Sequence, residues 1–94
     1  MGKLIIDTNN DFLVRQSKSL LIIETNELFQ FNSMEFVDIN LSASDGVDFV
    51  LHSQCYSFCQ RICNFDTSES VFNYSYIFKK TSLCQDVALL GFNN

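Results

Sequence analysis

The sequence predicts a small single α+β domain spanning 1–94. Three observations carry that expectation: short apolar runs broken by Asn, Asp and Ser at the start of the chain, an apolar stripe at helical spacing from Val47 to Cys63, and a period-two aromatic run near 71–79. The 94 residues are 47% hydrophobic and include ten Phe and three Tyr. That is enough apolar area for one core, and too much for a disordered chain.

The elements follow in order. Lys3–Ile6, Phe12–Gln16, Leu20–Glu24 and Glu27–Asn32 read as short strands closed by turn formers such as Asp7-Thr8-Asn9-Asn10 and Ser17-Lys18-Ser19. Val37, Ile39 and Leu41 alternate with Asp38, Asn40 and Ser42, the pattern of a half-buried strand. Even spacing and tight turns suggest an N-terminal antiparallel β-meander of about five short strands. Two signals then conflict. Asp45-Gly46 between hydrophobics marks a hairpin, which would make 45–52 a strand. Yet Val47, Val50, Leu51, Cys55, Phe58, Cys59, Ile62 and Cys63 form the stripe of an amphipathic helix. The longer pattern sets the expectation of one helix near 47–64, firmest from Ser53 to Asn64, with Ser44 or Asp45 as its cap. Phe72, Tyr74, Tyr76 and Phe78 share one face of a further strand near 71–79. The tail at 83–92 fits a short helix or a closing strand.

Composition excludes several functions. Gly2, Gly46 and Gly91 stand too far apart for a phosphate-cradling loop. Eleven acids against six Lys and Arg give a net charge of −5, which disfavours direct binding to nucleic-acid phosphates. Leu4-Ile5-Ile6 is shorter than a secretory apolar core, and no apolar run approaches membrane-spanning length. The expectation is a cytoplasmic chain with reduced cysteines and no membrane partner.

Cys55, Cys59 and Cys63, with His52 before and Cys84 after, invite a metal reading. On a helix Cys55 and Cys63 would stand about 12 Å apart along the axis, whereas thiolates around one zinc lie about 4 Å apart. A site could use Cys59, Cys63, Cys84 and His52 at most, so the cysteines read as small core hydrophobes and no metal or cofactor is assigned. A His52–Cys55 dyad lacks an orienting group and an oxyanion site. The carboxylate pairs Asp45/Asp48 and Glu24/Glu27 fit caps and solvated edges. No enzyme is expected.

Charge placement carries the functional expectation. Between Lys18 and Arg61 no Lys or Arg occurs, and Glu24, Glu27, Glu35, Asp38, Asp45 and Asp48 all fall there. Gathered on one solvent face, these carboxylates would steer a basic protein. The expected function is a small inhibitor of immunity or anti-defence type, a nucleic-acid mimic covering the basic surface of a nuclease or toxin, with Tyr56 or Tyr74 as anchoring aromatics. The alternative is a self-associating structural or accessory subunit, a homodimer joined through the Phe72/Tyr74/Tyr76/Phe78 face. A Cys-based metal-binding module is the third reading.

Overall fold

The computed structural model describes residues 2–6, 12–42 and 55–81, and the backbone of 48–51. Among these residues every regular element is a strand: β1 Gly2–Ile6, β2 Phe12–Gln16, β3 Leu20–Thr25, β4 Val37–Ser42, β5 Asp48–Leu51, β6 Tyr56–Asp66 and β7 Val71–Lys80. The domain is therefore mostly β, and the α+β expectation is corrected. No described helix is long and apolar enough to cross a membrane. The ambiguous tail at 83–92 lies outside the described residues.

The strands form two sheets, ordered β1-β4-β5 and β2-β3-β7-β6. Alternation decides their inner faces. Leu4 and Ile6 on β1 and Val37, Ile39 and Leu41 on β4 are buried from one sheet; Val14, Leu21, Ile23, Tyr76 and Phe78 are buried from the other. All ten belong to one core cluster, so the sheets share a single interior. Its largest wholly buried side chains are Tyr56, Tyr76 and Phe78.

Two expectations fail for topological reasons. The first strands do not form a meander: β1 lies parallel to β4, from Gly2↔Val37 to Ile6↔Leu41. A parallel pair needs a crossover, and here the β2–β3 hairpin of the other sheet is that crossover. Glu27–Asn32 is not a strand but part of the irregular connection between β3 and β4. It is held on the core by side chains. Phe31 meets Phe58 at 5.3 Å and Phe78 at 6.2 Å between ring centroids, and Phe29 meets Tyr76 edge-on at 5.7 Å.

The helix expected near 47–64 is replaced by β5 and β6. β5 pairs antiparallel with β4 from Ser42↔Asp48 to Ile39↔Leu51, the hairpin pairing that Asp45-Gly46 signals; residues 43–47 lie outside the description. β6 pairs antiparallel with β7 over its whole length, apart from a bulge between Phe58 and Gln60. The residues favour this outcome: Val, Phe, Tyr, Ile, Cys and Ser dominate 47–63, and strong helix formers are few.

The sheets are joined at a corner. Just before β4, Met34 N–H donates to the Phe58 carbonyl (2.8 Å) and the Glu35 carbonyl accepts from Phe58 N–H (2.8 Å), while Gly2 N–H donates to the Phe36 carbonyl (2.9 Å). The 34–36 segment thus bonds β1 on one side and the start of β6 on the other.

At the far end, the β6–β7 turn is tied by Asp66, whose Oδ1 accepts from Ser68 N–H (2.9 Å) and from the Ser68 hydroxyl (2.6 Å). Ser70 closes the turn at φ 55°, a left-handed conformation that costs an L-residue about 1–2 kcal/mol. Glycine escapes that strain but loses more chain entropy. Ser70→Gly is therefore expected to stabilise the fold by about 0.5 kcal/mol, a rise of about 2–4 °C in Tm. Differential scanning calorimetry checks this; a lower Tm would show that the turn draws more from Ser70 than its backbone angle suggests.

Candidate functional site

Of the six carboxylates singled out above, the structure spreads the described ones over both sheets and a connection. Glu24 lies on β3, between the buried Ile23 and Thr25, and so on the outward face of the β2-β3-β7-β6 sheet. Arg15 Nη2 stands 3.5 Å from its Oε2. Asp38 lies on β4, on the outward face of the other sheet, in register with Lys3. Glu27 and Glu35 sit half-buried on the connection between β3 and β4, where Glu35 Oε1 accepts from Asn32 N–H at 2.8 Å. Asp48 occupies the β5 position opposite Ser42, and Asp45 lies outside the described residues. Glu24 and Asp38 therefore face outward from different sheets, and each has a cation beside it or in register with it.

A different grouping forms on the outward face of the four-stranded sheet. In β3 the outward residues have even numbers, and in β7 the odd ones, because Leu21, Ile23, Tyr76 and Phe78 point inward. The registers Leu13↔Glu24↔Ser75↔Ile62 and Asn73↔Asn64 then place chemically different strands side by side. At the end of the sheet where the β6–β7 turn lies, they border an open concavity of about 650 Å³. Glu24, Asn26, Asn64, Glu69, Asn73 and Ser75 line it, and Leu13 and Val71 contribute apolar surface. Two carboxylates and three amides face this space; among the described residues its lining holds no Lys or Arg, although Arg15 reaches Glu24 from beside it at 3.5 Å. Such a surface accepts hydrogen bonds from ammonium or guanidinium groups, and its amides can also donate to a backbone carbonyl.

Glu69 was not among the residues the sequence singled out. It falls in the part of the chain where acids and bases balance, 45 positions from Glu24. Only the strand order β3-β7-β6 brings the turn that carries it towards β3. Next to that turn, the two hydrogen bonds from Ser68 hold the Asp66 carboxyl below its ordinary pKa of 3.8.

The remaining candidates also change place. Tyr56 is 1% exposed and belongs to the core, so it is not an anchoring aromatic. Tyr74 is half-buried, with the Arg61 guanidinium 5.6 Å from its ring centroid. Of the aromatic face, Tyr76 and Phe78 are used up by the core, whereas Phe72 remains 52% exposed. Cys55, Cys59 and Cys63 are free thiols on or beside an extended strand, where residues four apart are separated by about 13 Å. Among the described residues no group of three or more His, Cys, Asp or Glu could hold a metal ion; His52 and Cys84 lie outside them.

No protein-family model matches this chain, and no curated protein or solved structure matches it either.

Proposed function

We propose that the chain is a small, acidic, non-enzymatic binding protein of the cytoplasm, an inhibitor whose concavity receives a basic segment of a protein partner. The supporting observation is the convergence of Glu24 and Glu69 with Asn26, Asn64 and Asn73 around one depression whose described lining holds no Lys or Arg, with Arg15 reaching Glu24 from beside it at 3.5 Å. The net charge of −5 adds long-range attraction for a basic surface such as that of a nuclease or toxin. Free Cys55, Cys59 and Cys63 suit a reducing compartment.

The test uses a fluorescent octa-arginine peptide as the probe, with octa-glutamate as its control, followed by anisotropy. The wild-type protein is expected to bind octa-arginine selectively, with an affinity that falls as salt rises. Glu24→Gln combined with Glu69→Gln should weaken binding at least about tenfold, equivalent to about 1.4 kcal/mol. Asp38→Asn, on the other sheet, should leave it within about twofold if the charge acts locally. Equal losses in the two proteins would reduce the site to non-specific attraction by net charge and overturn the reading.

A further inference from the structure

We infer that two copies of the chain pair through the outer edge of β6, antiparallel about a two-fold axis at Cys63. The inference starts from the backbone and is independent of the concavity.

Lys80 N–H donates to the Ser19 carbonyl at 2.9 Å, so even-numbered residues of β7 address β3 and odd-numbered ones address β6. Gln60, Ile62 and Asn64, opposite Ile77, Ser75 and Asn73, therefore turn their amides and carbonyls towards β7. Arg61, Cys63 and Phe65 turn theirs away from the sheet. Before the bulge the outward groups belong to Phe58, and they are bonded by Met34 and Glu35. Beyond the bulge, no described backbone group bonds the outward groups of Arg61, Cys63 and Phe65.

Edges of this kind are usually guarded by Pro, by Lys, by being short, by a bulge or by a charge turned inward. β6 has 11 residues and neither Pro nor Lys; its bulge at Phe58/Gln60 precedes the open stretch, and its inward charge, Arg61, is bonded to the Phe29 carbonyl of its own chain. Its exposed stretch also carries Ile62 at 41% and Phe65 at 52% exposure.

Self-complementarity selects a second copy as the occupant. A two-fold axis perpendicular to the sheet keeps each residue on its own face, so paired residue numbers must sum to an even value. Centring on Cys63 pairs Cys63 with Cys63 and Arg61 with the partner's Phe65. All three outward-facing residues of each strand then exchange hydrogen bonds. Charge agrees with this geometry. Arg61 and Asp66 are the only ionic groups between 60 and 66, and they cancel within a chain of net charge −5. Antiparallel pairing sets each Arg61 beside the partner's Phe65-Asp66, whereas parallel in-register pairing would set Arg61 against Arg61. Phe65 is already packed on Phe72 at 4.9 Å and Arg61 on Tyr74 at 5.6 Å. The pairing joins these two groups into one row across the axis.

Sedimentation velocity over a wide concentration range tests the pairing. The wild-type protein is expected to shift from monomer to dimer as concentration rises. Cys63→Lys sets two ammonium groups against each other at the axis and should remain monomeric, with an unchanged circular-dichroism spectrum. A second measurement guards against misfolding of that variant. Opposed residues at the axis lie about 5.5 Å apart between Cα atoms, within disulfide reach. In a protein keeping Cys63 as its one cysteine, copper(II)-phenanthroline should oxidise two thiols to a disulfide, two electrons passing to copper and two protons to solvent. A protein keeping only Cys59 should stay uncrosslinked under the same treatment. A wild-type protein monomeric at every concentration overturns the inference, and so does a Cys63→Lys protein that still dimerises.

Discussion

Phe78→Ala is expected to lower the unfolding free energy by about 3–5 kcal/mol, the usual cost of removing a wholly buried ring. Phe78 is 0% exposed and lies edge-on to Phe31 and Phe58, at 6.2 and 6.0 Å between centroids. The internal comparison is Phe72, the same residue type on the same face of the same strand but 52% exposed. Its ring meets Phe65 at 4.9 Å, a contact worth about 0.5–1.5 kcal/mol, so Phe72→Ala should cost about 1 kcal/mol. Urea unfolding of dilute protein measures both changes without a contribution from self-association. With native domains stable by about 5–15 kcal/mol in all, the Phe78 variant is expected to lose a large share of its stability. Equal losses at the two positions would mean that the interior does not end where the β6–β7 hairpin leaves the second sheet.

The contrast between these two phenylalanines also marks what the sequence could convey. Alternation at 71–79 shows that Phe72, Tyr74, Tyr76 and Phe78 share a face. It cannot show that the hairpin outruns the sheet beside it, because β3 is a six-residue strand and β7 a ten-residue one. β4 was legible for a related reason: its alternation is unbroken from Val37 to Ser42. β6 was not. The bulge between Phe58 and Gln60 shifts the inward face from even-numbered to odd-numbered residues. Tyr56, Phe58, Ile62 and Cys63 therefore lose their period of two, and the spacing left behind imitates a helix. The concavity was only half legible, since Glu24 lies in the stretch without Lys or Arg and Glu69 does not. Strand order, a long-range property, decides which of these acids become neighbours.

Tyr76→Phe is expected to cost about 2 kcal/mol, although it removes a single oxygen atom. The Tyr76 hydroxyl donates to the Glu27 carbonyl and accepts from Phe29 N–H, both at 2.6 Å. Its loss strands two partly buried backbone groups, each worth about 1–3 kcal/mol when left unsatisfied and less where water can reach. Those two bonds, with the Arg61 Nη1 bond to the Phe29 carbonyl at 3.0 Å, pin the irregular connection on the sheet. Phe29 and Phe31 lie between and beside these bonds, so the amide of Phe29 should lose protection from hydrogen exchange in the variant. A pH dependence follows. Burial raises the Tyr76 pKa above its ordinary value of 10.0, against the opposing hydrogen bond from Phe29. The folded state thus favours the neutral phenol more than the unfolded state does. Its contribution is intact below about pH 10, the unfolded value, and is lost as pH climbs through the higher folded value. Wild type should therefore be more stable than Tyr76→Phe at neutral pH, and the gap should narrow in strong alkali. Urea midpoints for the two proteins across that range check the sign. A gap that stays constant with pH would detach the phenol from the stability of the connection, leaving its rings alone to hold it.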